Sequence, residues 1–141
     1  MAPSSAEKRL RIRRLARADL AAVLELFTTE AWRSYAQDEE RTWAALSAPG
    51  SLTLVAERGG EVVGVAQTLG DGHVQAFLAI LLVAAPARRT GIGRALVAEC
   101  VRLTPGVRLD LISLADDFYR ALGFEAVSAF RLERARGAAS R

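Results

Sequence analysis

LLVAAPARRTGIGRAL, residues 81–96, is the stretch of sequence that decides the fold. A long apolar run ends within it, and a helical pattern of apolar residues begins after Gly91. Gly91 and Gly93 allow the backbone to turn tightly and to come close to a ligand, while the N–H groups of a first helical turn have no intrahelical acceptor. Three arginines add positive charge there: Arg88, Arg89 and Arg94. The stretch therefore predicts a strand, a loop and a helix whose N-terminus binds an anion such as a pyrophosphate.

The spacing of the glycines separates this turn from two other nucleotide-binding motifs. A dinucleotide-binding fingerprint requires a third glycine at the position of Leu96, and a P-loop requires Gly-Lys-Ser/Thr, which the stretch lacks. Neither motif fits. A glycine-rich turn with solvated arginines and no ligand is the alternative that the stretch leaves open when it is considered alone.

Alternation and helical spacing predict the elements that surround the turn. Before it lie a strand over 10–15, a helix with Asp19 as its N-cap, a helix over 39–48, a hairpin of strands 52–57 and 62–69, and a strand over 73–83. The uniformly apolar strand over 73–83 is expected to be central and covered on both faces. After the turn come a helix from 91 to about 105, a strand over 107–113, a helix over 115–122 closed by Gly123, and a last strand over 124–132.

This order of elements, β-α-α-β-β-β-α-β-α-β, predicts an α/β fold in which helices cover both faces of a central mixed sheet. The 141 residues are expected to form a single domain, with flexible ends at 1–8 and 134–141. The unpaired strand edge that we expect near the C-terminus makes a homodimer plausible.

Composition excludes several classes of function. Cys100 and His73 are the only cysteine and histidine, so neither an intramolecular disulfide nor a zinc site is expected. No apolar run approaches the roughly 20 residues of a membrane span, and no signal-type segment starts the chain, which indicates a soluble, cytoplasmic protein. The net charge of +3 comes from arginines, but acidic residues are nearly as numerous, and we therefore expect no nucleic-acid binding.

Three segments together resemble the GNAT superfamily of acyl-CoA-dependent N-acyltransferases. Arg88-x-x-Gly91-x-Gly93, after a strand that ends in Leu-x-Val, resembles the superfamily's R/Q-x-x-G-x-G/A signature. Downstream, 115-ADDFYRALGF-124 is similar to its A-x-x-F/L-Y-x-x-L-G-F segment. Upstream, 54-LVAE-57 and 62-VVGVA-66 are similar to its second and third strands. The resemblance extends from about residue 10 to residue 132.

The resemblance implies acetyl-coenzyme A as cosubstrate, with no metal, and a set of residues that would bind it. Backbone groups of Leu82 and Val83 would contact the pantetheine arm and the thioester, and Arg88 would set the loop. The backbone of the turn would hold the pyrophosphate through Arg89, Thr90, Gly91, Ile92, Gly93 and Arg94. Many relatives carry an asparagine where this chain has Ser113, which would take over its bond to the coenzyme arm.

Tyr119 matches the tyrosine that protonates the departing thiolate in the superfamily, and a phenol with an ordinary pKa of about 10 suits that role. A core tyrosine with a satisfied hydroxyl is the alternative. The base that takes the proton of the amine is less well defined. The first candidate is His73, with Asp71 to assist it, because histidine is the residue type that most often transfers protons near neutral pH, although a loop-tip histidine that faces solvent fits equally well. Asp110 and Asp116 are weaker candidates.

The acceptor pocket is expected to include Glu30, Trp32 and Tyr35, between the first two predicted helices. Trp32 and Trp43 fit equally well as core or dimer contacts. The predicted function is transfer of an acetyl group from acetyl-CoA to a primary amine of a small molecule or peptide, by direct attack on the thioester. A non-catalytic acyl-CoA-binding or interaction domain on the same fold is the alternative.

Overall fold

The computed structural model describes residues 9–134. The chain divides between Leu111 and Ile112 into two compact units, which are described separately below. The flexibility predicted for residues 1–8 and 135–141 lies outside the described residues.

The first unit is built on one five-stranded sheet. Its strands lie in the order β1-β2-β3-β4-β5; β1 to β4 pair antiparallel and β5 pairs parallel to β4. The strands are β1 Arg11–Arg14, β2 Ser51–Arg58, β3 Glu61–Gly70, β4 Gln75–Val83 and β5 Arg108–Leu111. The helices of this unit are α1 Leu20–Thr29, α2 Arg33–Ala36, α3 Glu39–Leu46 and α4 Ile92–Leu103. This confirms the mixed sheet with helices that the sequence predicts.

α1 forms where the apolar stripe predicts it, and Leu20, Val23 and Phe27 are fully buried. Asp19 is the N-cap residue of α1 as expected, but its carboxylate bonds to residues that precede the helix. It accepts hydrogen bonds from the Arg13 guanidinium at 2.7 Å and from the Ala16 N–H at 2.8 Å, and these bonds lower the pKa of Asp19. Asp19 therefore fixes the connection from β1 to α1 rather than the first turn of α1.

α3 begins as its acidic start predicts. The Asp38 carboxylate accepts a hydrogen bond of 3.0 Å from the Arg41 N–H, and Glu39 and Glu40 follow in the first turn. The helix ends at Leu46, two residues before the predicted end. The short helix α2 between α1 and α3 was not predicted, because four residues are too few to establish a helical period.

β4 lies inside the sheet between β3 and β5, but the prediction that both of its faces are covered is wrong. Ala76, Leu78, Ile80 and Leu82 are buried, whereas the residues between them are half-buried or exposed. The uniformly apolar sequence concealed this alternation, because alanine and leucine occur on both faces. The β-bulge at Ala79 changes which face of β4 is buried: Ile80 and Leu82 join the core that α1 and α3 close, whereas Leu78, opposite Thr68, lies on the other face of the sheet.

Among its described residues, 112–134, the second unit contains one helix, α5 Asp116–Ala121, followed by Gly123 with a φ of 91°. The strand predicted over 124–132 is not formed: residues 123–134 belong to no helix or strand, and Phe130 is 98% exposed. Alternation shows which side chains could share a face, but a strand also needs a neighbour for its backbone hydrogen bonds. Within residues 9–134 no strand pairs with this segment.

Candidate active site

β4 extends beyond its parallel ladder with β5. The ladder runs from Gln75 opposite Arg108 to Leu78 opposite Leu111, and β5 ends there. Of the following residues, Ile80–Val83 pair with β3 on one side only, and Ala79 is the extra residue of a β-bulge with no partner in β3. On the side of β4 that faces β5, the last five residues therefore have no neighbouring strand among the strands of the first unit.

The direction of the backbone groups at this open side follows from one hydrogen bond. The Ala84 N–H donates to the Val63 carbonyl at 2.8 Å, so residue 84 points its polar groups at β3. Because alternate residues of an antiparallel pair point to opposite sides, Leu82 also turns its N–H and C=O to β3, and Leu81 and Val83 turn theirs away. The Val83 carbonyl accepts a bond of 3.2 Å from Arg88 Nε, consistent with this direction.

This geometry corrects one predicted binding residue. The backbone of Leu82 is engaged in the ladder with Val65, and its side chain belongs to the core. We therefore assign the open backbone positions to Leu81 and Val83 rather than to Leu82 and Val83. Because side-chain character carries no information about ladder phase, the sequence could not distinguish these two choices.

The glycine turn leads from this open strand to α4. Residues 85–87 form a 3₁₀ turn, and the Thr90 hydroxyl donates to the Ala87 carbonyl at 2.6 Å. Arg89 and Gly91 then adopt positive φ values of 63° and 85°. Gly91 is the N-cap of α4 and has no side-chain cap.

The start of α4 presents unpaired donors as predicted. The first helical bond runs from the Ala95 N–H to the Gly91 carbonyl at 3.0 Å, so the N–H groups of Ile92, Gly93 and Arg94 precede every intrahelical acceptor. A Cβ placed on Gly91 would meet no atom within 4 Å. The space above the turn is thus open, and its donors can hold an anion.

Arg88 lies on the turn but points back to the sheet and to α1. Its Nε bonds the Val83 carbonyl, and its Nη2 forms a salt bridge with Glu30. Glu30 was predicted to contact the acceptor, whereas its carboxylate is engaged by Arg88. The pairing of these two predicted site residues was not apparent from the sequence, since they stand 58 positions apart.

Asp71 and His73 do not lie near the open part of β4. Both residues precede β4, whereas Val83 is its last residue. The strand Gln75–Val83 is about 26 Å long at about 3.3 Å per residue, and this length lies between the two residues and Val83. The Asp71 carboxylate accepts 2.7 Å bonds from the N–H groups of Val74 and His73, which lower its pKa and make it a weaker base. The structure therefore gives Asp71 a role in the turn, and neither residue is retained as the base.

Trp32 and Tyr35 pack into an aromatic cluster with Phe27. The Tyr35 ring stacks on Phe27 with 4.8 Å between ring centroids, and the Trp32 ring lies 5.8 Å from the Phe27 ring. Both side chains contact the core. Trp43 also packs on the core and lies under the Arg17 guanidinium. These contacts support the core interpretation of both tryptophans.

A cleft of about 750 Å³ lies between α1 and the turn that joins β2 to β3. Residues Ala84–Pro86, which follow β4, form part of its wall. Five carboxylates and one guanidinium line it: Asp19, Glu25, Glu30, Glu57, Glu61 and Arg13. Arg13 bonds Asp19 and Glu57, and Arg88 bonds Glu30, whereas Glu25 and Glu61 form no salt bridge within residues 9–134.

Tyr119 and Ser113 belong to the second unit. The Tyr119 ring makes edge contacts with Phe118 and Phe124, with centroid distances of 5.0 and 5.6 Å, and burial raises the pKa of its hydroxyl. The Ser113 hydroxyl oxygen accepts a bond of 2.8 Å from the Ala115 N–H, which leaves its own hydrogen available as a donor.

Two further groups bear on the chemistry. Cys100 is fully buried in α4, and burial raises the pKa of its thiol to about 12, which makes it a poor nucleophile. The part of the chain that the structure describes holds no cluster of three or more metal-ligating side chains. Between residues 9 and 134, no helix has the length and apolar character needed to cross a membrane.

Comparison with solved structures finds the same fold in acetyltransferases. An aminoglycoside N-acetyltransferase in complex with CoA is 18% identical, with a TM-score of 0.75 over 96% of this chain and 99% of that chain. A GNAT family acetyltransferase from Streptococcus pneumoniae is 25% identical, with a TM-score of 0.69 over 90% and 98%. A transcriptional regulator from Bacillus halodurans, 18% identical, has a TM-score of 0.75 over 89% and 100%.

At the level of sequence, no curated protein matches the chain significantly. The profile of the Acetyltransferase (GNAT) family, however, matches residues 17–124, which is well over half of the chain. That match covers the strands β2 to β5, the glycine turn and α5. The chain therefore belongs to the GNAT acetyltransferase family.

Proposed function

We propose that the protein transfers an acetyl group from acetyl-CoA to an amine of a small molecule or peptide. The observation that carries this proposal is the continuity between the open positions of β4 at Ala79–Val83 and the anion-binding start of α4. The open part of β4 could hold the thioester and the start of α4 the pyrophosphate. The two groups follow each other in the same order along acetyl-CoA.

The residues of the turn fit the coenzyme. The N–H groups of Ile92, Gly93 and Arg94 would donate to the pyrophosphate, with Thr90 and Gly91 shaping the turn. The exposed guanidinium groups of Arg89 and Arg94 would add charge-assisted bonds. When bound, acetyl-CoA supplies an acyl group already activated as a thioester.

The reaction requires stabilisation of the charge on the acyl oxygen, a proton for the departing sulfur, and an acceptor for the proton of the amine. The Val83 N–H would donate to the acyl oxygen as negative charge develops on it during attack by the amine. The C–N bond forms and the C–S bond breaks, and the Tyr119 hydroxyl would give its proton to the departing sulfur. Burial raises the pKa of Tyr119, so its hydroxyl is protonated at neutral pH. We assign the proton of the amine to solvent water, with no side chain as base.

The acceptor is proposed to be a cationic amine of a small molecule or peptide. The cleft beside Ala84–Pro86 supports this class, because its carboxylates outnumber its single guanidinium. Glu25 and Glu61 would attract additional positive charges on the acceptor. One solved structure of the same fold is an aminoglycoside acetyltransferase in complex with sisomicin, 22% identical with a TM-score of 0.70.

A pair of glycine variants tests the coenzyme site. Gly91 and Gly72 share a positive φ, 85° and 82°, and open space around the missing Cβ, but they lie at opposite ends of β4. Gly91→Trp fills the space over the turn, and we expect it to abolish CoA binding by titration calorimetry. Gly72→Trp imposes a matched backbone strain and should retain binding. Equal affinity of both variants would contradict the proposed site.

Release of free thiol from acetyl-CoA tests the transfer itself. The panel of acceptors contains sisomicin, spermidine, a free amino acid and a peptide with a free N-terminus. We expect at least one amine to stimulate thiol release and to gain the mass of an acetyl group. Tight CoA binding without stimulated release by any amine would favour the non-catalytic acyl-CoA-binding alternative.

A further inference from the structure

Glu30, Arg88 and the carbonyl of Val83 form one connected unit, which we name the Glu30–Arg88 clip. Arg88 Nε donates to the Val83 carbonyl at 3.2 Å, and Arg88 Nη2 forms a salt bridge with Glu30. The clip joins three elements that are distant in sequence: the end of α1, the end of β4 and the glycine turn. A guanidinium can do this because its donors point in fixed, separate directions.

The position of Glu30 indicates that its carboxylate serves Arg88 rather than α1. Glu30 is the C-cap of α1, where the negative end of the helix dipole disfavours an anion. Its side chain is only 14% exposed, whereas that of Arg88 is 50% exposed. A mostly buried carboxylate at the C-terminal end of a helix needs a cation nearby, and Arg88 is the cation that Glu30 contacts.

The clip acts on the last peptide group of β4. On one side, the Ala84 N–H donates to the Val63 carbonyl at 2.8 Å, and on the other the Val83 carbonyl accepts from Arg88. The peptide that joins Val83 to Ala84 is thus held from both sides. Its orientation determines the direction of the neighbouring Val83 N–H, which has no strand partner on its own side among the strands of residues 9–134.

We propose that Arg88 and Glu30 are positioning residues that aim the Val83 N–H at the acyl oxygen of the thioester. Glu30 orients the guanidinium, and the guanidinium fixes the Val83 carbonyl and with it the strand end. This inference rests on the proposed acetyl transfer. It assigns Arg88 a role in the rate of the chemical step, separate from any contact of the turn with the pyrophosphate.

A positioning role predicts a specific kinetic pattern. Arg88→Met keeps an unbranched apolar stem but removes every donor, so the Val83 carbonyl is released. We expect kcat to fall about tenfold, less than the 10²–10³ typical for loss of a whole oxyanion donor, because the Val83 N–H remains. The KM for acetyl-CoA and the Kd for CoA should change by less than about threefold. Glu30→Ala should lower kcat by a similar factor.

The double variant and two further variants separate positioning from simple stability. If the two side chains act as a unit, Glu30→Ala with Arg88→Met should be no slower than either single variant. Arg88→Lys, which can reach Glu30 or Val83 but not both, should be intermediate. Glu99→Gln breaks the exposed Glu99–Arg102 pair on α4 and serves as the control, with kcat unchanged. Additive losses, or a Kd for CoA weakened by the same factor as kcat, would overturn the proposal.

Amide hydrogen exchange tests the clip independently of activity. In the ligand-free protein, Arg88→Met should accelerate exchange at the Ala84 N–H about fivefold relative to wild type and to Glu99→Gln. An unchanged Ala84 exchange rate would overturn the clip even if acetyl transfer is confirmed. If wild type releases no thiol with any amine while Ala84 exchange responds as expected, the proposed function fails and the strand-end contact stands.

Discussion

α1 and α5 end in the same hydrogen-bonded turn but fill it with different residues. At the end of α1, the Trp32 N–H donates to the Phe27 carbonyl at 2.8 Å, and the Ala31 N–H donates to the Thr28 carbonyl at 3.3 Å. Ala31 has a φ of 63°, in the left-handed region. The rings of Trp32 and Phe27 lie 5.8 Å apart, which gives the turn its apolar contact.

At the end of α5, the Phe124 N–H donates to the Tyr119 carbonyl at 3.1 Å, and the Gly123 N–H donates to the Arg120 carbonyl at 3.0 Å. Gly123 has a φ of 91°, and the rings of Phe124 and Tyr119 lie 5.6 Å apart. Both helices thus end in a Schellman motif, in which two backbone bonds and one apolar contact close the last turn.

The differences between the two turns lie at two positions. The left-handed residue is alanine in α1 and glycine in α5, so α1 bears a backbone strain that α5 avoids. The ring that supplies the apolar contact belongs to Phe27 in α1 and to Tyr119 in α5. Since phenylalanine makes this contact in α1, the hydroxyl of Tyr119 is not needed for the turn and is available for chemistry.

The largest effect is expected from making the two rings alike with Tyr119→Phe. The variant retains the ring contact with Phe124 and removes only the proposed proton donor. General acids typically contribute 10²–10⁴ to a rate. A thiolate leaves more readily than most groups, so we expect a loss of about tenfold to hundredfold in kcat, with the urea unfolding midpoint unchanged. Unchanged turnover at every pH would exclude the acid role.

The pH dependence provides a control for the same variant. Tyr35 and Tyr119 are the only two tyrosines, and burial raises the pKa of both. A folded-state pKa above the unfolded value stabilises the protein below about pH 10 and loses that contribution as the pH rises through the folded pKa. Ultraviolet titration should therefore show two phenols ionising above pH 10 in wild type and one in Tyr119→Phe.

The two turns also show what a sequence can reveal. Gly123 was predicted to close its helix because glycine marks a left-handed residue, and the structure confirms it. Ala31 carried no such signal, since alanine rarely adopts this conformation, and the short α2 that follows was missed with it. A sequence reveals a left-handed residue where glycine occupies the position, and it does not reveal one where an ordinary residue adopts the same conformation.

The same distinction separates the parts of the candidate site that the sequence could predict from those that it could not. The turn at 88–94 was predictable because glycines, arginines and a helix start act together within a few residues. The Glu30–Arg88 pair and the separation of His73 from Val83 depend on how distant segments meet, and the sequence does not encode them locally. The missing last strand has the same cause, because its alternating pattern could not provide a pairing partner.

Gly123→Ala makes the end of α5 resemble that of α1 and should have the next largest effect. A Cβ in the left-handed conformation costs about 1 kcal/mol, and Gly123 has open space around it, so the cost should reflect backbone strain rather than collision. Exchange at the Phe124 N–H should accelerate about fivefold. An unchanged exchange rate would mean that α5 does not depend on its left-handed residue.

Ala31→Gly is the reverse change and should have the smallest effect. Relief of the left-handed strain gains about 1–2 kcal/mol, and the greater freedom of glycine in the unfolded chain offsets about 0.5–1 kcal/mol of it. Ala31 is exposed, so little packing is lost, and a net stabilisation of about 0.5 kcal/mol should appear as a higher urea midpoint. Destabilisation would show that the Ala31 methyl group contributes more than the strain it imposes. The two turns would then differ in packing rather than in backbone strain alone.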